Sequence, residues 1–287
     1  MGNYYYLITG LQDISLEDDR LPYSVDSFRE EICPSISAGD RQLVNLALEQ
    51  YDRRNLMYLL ARLKAGEELV LEEGAQEGAL TGEQLAGLIE AVRAGEPSDK
   101  DVPEYMYRFV SEYLHDEWQA FTTFPEDRLS SLFYEHAKSV RNGFVRDWFR
   151  FNQDLNNILA AMTARRHSLP LQGLIIGDGE VAEALRTSGA KDWGLAQSVG
   201  FFERLARIQE ETDLSVRERS IDMLKWNWLE ENTFFHYFTV EKLFAFLVRL
   251  DIAARWFKLD KAKGQEMFRS LIGSLKGEVT VPQEFEN

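Results

Sequence analysis

The feature that most restricts the fold is a helical segment written twice. "YDRRNLMYLLARLKAG", residues 51–66, and "QDLNNILAAMTARRHS", residues 153–168, align with Asp52 on Asp154, Asn55 on Asn157, Leu56 on Ile158, Leu60 on Met162 and Lys64 on Arg166. Apolar residues in both recur at three- and four-residue steps, the period of one helix face. Each copy therefore predicts the end of a helix that packs one side against other helices. A third segment, "VEKLFAFLVRLDIAARWFKLDKAKG", puts Asp251 in register but carries Ala254 at the asparagine position and Arg255 at the apolar one. Copies about a hundred residues apart are too widely spaced for a solenoid and suggest three related helical lobes. The plainer competing reading is that any helical chain offers some such matches.

The rest of the chain agrees with an all-α class, because alternating runs of strand type are short and few. "DSFREEI" predicts a first helix with Asp26 or Ser27 as cap, and Ser37 or Asp40 opens the helix that carries the first copy. Glycine and glutamate in "GEELVLEEGAQEGALTGEQ" interrupt it, and Thr81 with Gln84 offers a capping box for a helix to about Ala94. "GEPSDKDVP", residues 95–103, is the best linker, so the expected lobes are 1–95, 96–190 and 191–287. Beyond it "EYMYRFVSEYLHDEWQAF" is amphipathic up to a break at Phe124-Pro125, and another helix precedes Asn142-Gly143. The second copy has a wide aromatic face of Phe144, Trp148 and Phe151. Asn55 falls on an apolar face, as a buried amide serving a neighbouring loop's backbone would, whereas Asn157 lies off the stripe and reads as an ordinary polar helix residue. Helices are further expected from Asp192 to about Glu211, through "IDMLKWNWLEENTFFHYF", and over the third copy.

Charge narrows the partners. Lys plus Arg number 32 against 48 Asp plus Glu, a formal charge of −16 that repels nucleic-acid phosphates and anionic lipid surfaces alike. The richest apolar run, "TFFHYFTVEKLFAFLVRL", is interrupted by His236, Glu241, Lys242 and Arg249 before reaching the twenty or so apolar residues of a membrane span. "MGNYYYLITG" lacks the basic and apolar regions of a signal peptide and reads as part of the folded protein. A single cysteine, Cys33, permits no internal disulfide, which fits a reducing cytoplasm.

Motifs for chemistry are few. "LIIGDGEVA" imitates a dinucleotide-binding turn, but helices follow where that turn needs a second strand and a ribose-binding acid. It reads instead as a glycine-rich connector with Asp178 near a helix start. Glu112 and His115 have the spacing of a di-iron helix motif, and Glu135 adjoins His136, yet that site requires two such motifs and further carboxylates on four helices. A small α-helical metal-dependent enzyme using Glu112, His115, Glu135 and His136 is the alternative from the enzyme class. Otherwise no catalytic, cofactor or metal residue is assigned.

"NYYYLITGLQDI", "DRRNLMYLLARLKAG", "DLNNILAAMTARR" with "GLIIGDGEV", and "FAFLVRLDIAARWFKLDKAKG" resemble an uncharacterised bacterial family whose genes accompany those of V-type ATPases. That family in turn resembles the socket subunit of V/A-type ATPases, lettered C there and d in eukaryotes. The resemblance implies a funnel of three helical lobes that seats the central rotor axle on the membrane ring and catalyses nothing. It would lie in the cytoplasm, held at the inner face of the membrane by the other ATPase subunits, with no lipid insertion, nucleic acid or cofactor. Asp52, Asn55, Asp154, Asn157 and Asp251 are then the structural residues of the repeat, and Arg62, Arg165, Arg166 and Asp178 are candidate partner contacts. This chain is shorter than the usual socket subunit and lacks the third asparagine. An ATPase-unrelated cytoplasmic helical scaffold is the remaining alternative.

Overall fold

Helices begin here where a side chain can satisfy the first exposed backbone N–H groups. In the computed structural model, which describes residues 4–16 and 20–278 and side chains as far as Asp260, Ser37 accepts from the Asp40 N–H at the head of α3 (Ala38–Ala65). Numbered in chain order, α3 is preceded by α1 (Tyr5–Gly10) and α2 (Val25–Ser27). Thr81 and Gln84 form the expected capping box of α4 (Gly82–Ala94). Asn142 accepts from the Val145 N–H and starts α7 (Gly143–Arg166) after α5 (Glu104–Leu114) and α6 (Pro125–Lys138). Then come α8 (Glu180–Thr187), α9 (Phe202–Glu210), α10 (Leu214–Thr233) and the long α11 (Val240–Glu278). No strand occurs among the described residues, so the protein is all-α.

Four local expectations are corrected. The cap of the first segment is Ser24, in a capping box with Ser27, and the chain continues through a π-type turn, Phe28–Ile32. The amphipathic stretch after the linker stops at Leu114, because Asp116 adopts a left-handed conformation (φ 57°) and only a short 3-10 turn, Glu117–Ala120, follows. Residues 192–201 are not helical: Trp193 (φ 55°) and Gly194 (φ 77°) turn the chain out of the right-handed region, so α9 starts only at Phe202. Asn157 is buried, contrary to the reading that places it off the packed stripe.

Buried side chains from Tyr4 to Trp256 form one contiguous cluster that crosses all three expected lobes. The repeat helices carry much of it. α3 packs against α4, α6 and α11, while α7 packs against α6, α8, α9, α10 and α11. The aromatic face of α7 meets α10: Trp228 lies 5.4 Å from Trp148 and 5.5 Å from Phe151, the latter stacked at 15°. Such large rings supply both buried area and geometric specificity at a helix contact.

Candidate functional site

The two copies of the repeat make the same kind of unit: a long helix, a non-helical return, and a short helix that docks back. In the first, Asn55 of α3 donates to the Gln76 carbonyl (3.0 Å), and the Asp52 carboxylate accepts from the Ala79 (3.0 Å) and Leu80 (3.1 Å) N–H groups. In the second, Asn157 of α7 donates to the Ile176 carbonyl (2.8 Å) and accepts from the Ile176 N–H (2.9 Å), while Gln153 donates to the same carbonyl (3.1 Å). Buried amides thus take over the hydrogen bonds that water would otherwise make to the returning backbone.

Close approach fixes a glycine at each dock. A Cβ on Gly78 would collide with the Asp52 carboxylate and lie 2.6 Å from the Leu48 carbonyl oxygen. On Gly177, held at φ 82°, it would collide with the Gln153 amide. The connector that imitates a dinucleotide turn is therefore a docking segment, further held by Arg186, which donates to the Ile175 (2.8 Å) and Gly177 (2.7 Å) carbonyls.

The aspartates diverge. Burial pushes Asp52 up to about 7 despite the two backbone hydrogen bonds, and pushes neighbouring Glu49 to about 7 despite its hydrogen bond from Tyr105. Asp154, at the aligned position, makes no hydrogen bond among the described residues, and burial raises it to about 6. Asp251 does a third job, accepting from Gln50 (2.9 Å) and Tyr51 and so tying α11 to α3. Arg255, at the apolar position of the third copy, pairs with Asp222.

Two of the candidate contact residues hold their own chain. Arg62 donates to the Glu68 carbonyl (2.7 Å) and pairs with Glu67 (3.1 Å). Arg165 donates to the Ala190 (3.2 Å) and Lys191 carbonyls and lies 3.5 Å over the Trp193 ring. Arg166 is exposed; Asp178, 93% exposed, pairs with Lys138 at 2.8 Å.

The four residues of the metal alternative do not converge. Burial opposes ionisation of Glu112, but hydrogen bonds and charge from Arg128 (2.6 and 2.7 Å), joined by Arg108, outweigh it and hold the carboxyl low. His115 bonds the Ser111 carbonyl (2.8 Å), Glu135 faces Arg108, and His136 packs on Tyr105. Among the described residues no three His, Cys, Asp or Glu side chains gather as metal ligands do.

Two surfaces escape sequence reasoning. The first is an aromatic end: α1 meets the α10–α11 turn, where the Tyr4 N–H donates to the Phe238 carbonyl (2.8 Å) and the Tyr5 ring lies 4.7 Å from that of Phe238. On these two segments Tyr6 is 89%, Phe235 81%, Phe234 66% and Tyr237 61% exposed. The second is a cleft of about 980 Å³ lined by α3, α6, α7, α10, α11 and residues 20–27. Both assemble residues far apart in the chain, which no local pattern announces. Among the described residues no helix is long and apolar enough to cross a membrane.

No curated protein and no solved structure matches this chain significantly. A family profile described as "Protein of unknown function (DUF2764)" matches residues 1–279, and the chain belongs to that family.

Proposed function

We propose that this protein is a non-catalytic component of a V/A-type ATPase, a coupler like the socket subunit that seats the central rotor axle on the membrane ring. The observation that carries a partner-binding role is the aromatic end. Tyr6, Phe234, Phe235 and Tyr237 stand in solvent on two elements brought together by backbone pairing. Exposed aromatics concentrated on adjoining elements mark protein interfaces and supply their strongest contacts. The ATPase assignment comes from the resemblance, and the repeated helix-and-return unit is consistent with a socket of related lobes. A coupler must transmit torque without deforming, and long helices braced by their own returning segments are suited to that. In this reading the protein stays in the cytoplasm and reaches the membrane only through protein contacts.

The test is to isolate tagged protein from gently solubilised native membranes, comparing the natural sequence with Tyr6→Ser and Phe235→Ser. Stoichiometric recovery of the axle and ring proteins, reduced by both substitutions, is the expected result. Recovery of other proteins alone would replace the ATPase role with that of an unrelated helical scaffold.

A further inference from the structure

The chain carries a formal charge of −16, yet the cleft between the repeat helices is lined by Arg20, Arg53, Arg54, Lys225, Arg255 and Lys258 against only three acids, Asp26, Asp222 and Asp251. Each of those acids is already answered. Asp26 receives Gln76 (2.6 Å) and lies 3.8 Å from Arg29; Asp222 binds Arg255 and the Trp256 indole N–H (2.7 Å); Asp251 accepts from Gln50 and Tyr51. Arg20, Arg53, Arg54, Lys225 and Lys258 have no carboxylate at ion-pairing distance among the described residues. A cleft with apolar walls focuses such an unbalanced field toward an incoming anion.

Lys225 is the more enclosed of the two unpaired lysines. It is recessed on α10, makes no hydrogen bond or ion pair among the described residues, and burial lowers its affinity for a proton. A half-buried cation with no carboxylate at ion-pairing distance is partly stripped of water, and an anion beside it offsets that cost. The neighbouring wall is aromatic and amide-bearing. Arg53 lies 3.9 Å over the Phe133 ring, and Asn152 and Asn156 spend their N–H groups on the Trp148 carbonyl (2.8 Å) and the Tyr134 hydroxyl (3.2 Å). Their carbonyl oxygens accept no hydrogen bond among the described residues and are available to a ligand's N–H donors.

We infer that this cleft binds a small phosphate-bearing anion with a flat aromatic body, a nucleotide in chemical terms. The phosphates meet Arg54 and Lys225, and the body lies toward Arg53, Asn152 and Asn156. Guanidinium groups suit phosphate oxygens and stack on flat rings, which matches both halves of such a ligand. The volume lies within the range of small-molecule clefts, and the cations line one concave site that includes a half-buried lysine, which favours a compact anion over an acidic protein segment. The inference is independent of the proposed coupling role.

Calorimetric titration of the full chain with ATP, pyrophosphate and poly-glutamate, against sodium chloride at matched ionic strength, tests it. ATP should bind saturably and more tightly than pyrophosphate. Arg54→Ala and Lys225→Met should each weaken ATP by about tenfold or more, the loss expected for one charged hydrogen bond. Arg93→Ala, remote from the cleft and paired with Glu90, should leave ATP binding unchanged. The site is overturned if chloride reproduces the ATP response or if both cleft variants bind ATP normally. Equal affinity for pyrophosphate would overturn the aromatic body, and tighter binding of poly-glutamate would overturn the small-molecule class. Lys225→Met replaces a half-buried charge by an apolar chain of similar length; Arg54→Ala, at an exposed position, keeps the test valid if the Lys225 variant misfolds.

Discussion

The first and second repeat units perform the same docking with different chemistry. α3 holds its return with an ionisable side chain, Asp52, plus one amide, whereas α7 uses two neutral amides, Gln153 and Asn157, converging on a single residue, Ile176. What the units share is a buried polar clamp on the long helix and a glycine pressed against it. What differs is whether the clamp titrates. The geometry of the unit is therefore more closely specified than the residues that make it, and an alignment by residue type undervalues the match: Asp154 aligns with Asp52, but Gln153 takes its place against the glycine and Asn157 its task of accepting a backbone N–H.

Four perturbations test whether the two units differ in this way. The largest effect should come from Gly78→Ala and Gly177→Ala, each costing about 3 kcal/mol in denaturant unfolding, because backbone or packed amide must move to admit a methyl group. Either glycine tolerating alanine at no cost would remove the close-approach requirement from that unit. Next, Asn157→Ala should cost about 2–3 kcal/mol, since it strands the Ile176 N–H and leaves the Ile176 carbonyl with Gln153 alone, and Asn55→Ala should cost less because it removes a single hydrogen bond, that to the Gln76 carbonyl. Equal costs would mean the two amides are not doing the different amounts of bonding described.

The third perturbation is pH. Carboxyls raised on folding favour the protonated native state, so their contribution to stability falls as pH rises from near the unfolded value toward the folded one, and is level above it. Asp52 and Glu49, at about 7, extend that fall to neutrality; Asp154, at about 6, ends it sooner. Asp52→Asn should flatten the stability profile between pH 6 and 7 more than Asp154→Asn does. A profile unchanged by Asp52→Asn would contradict a titrating clamp. The smallest effect should be Arg165→Ala, below about 1 kcal/mol for an exposed cation over a ring, seen as faster amide exchange across residues 188–194. Exchange unchanged there would remove Arg165 as a brace of that turn.

Much of the fold is legible in the sequence because its signals are local. Ser37, Thr81 with Gln84, and Asn142-Gly143 mark helix starts through capping chemistry that acts within one turn. Asn55 is readable as a buried amide because it sits within an apolar face. Asn157 is not, because its stripe is broad and aromatic and its partner, Ile176, is a backbone some twenty residues away whose approach depends on Gly177. The left-handed residues Asp116 and Trp193 lie where periodicity carries a helix onward, Asp116 just past the end of α5 and Trp193 in the non-helical stretch before α9, and nothing in the apolar spacing signals that conformation. The aromatic end and the basic cleft are invisible for a simpler reason. The Tyr4–Phe238 contact, and the cleft shared by Arg53 and Lys225, form only through packing of distant helices.

Coupling is the central functional claim, and it has a direct measurement: the ratio of ions pumped to ATP hydrolysed in native membrane vesicles from cells lacking this protein, and after it is restored. Hydrolysis should persist while pumping falls in its absence, and the natural protein should restore the ratio while Phe235→Ser restores it less. An unchanged ratio in vesicles without the protein would contradict a coupling role.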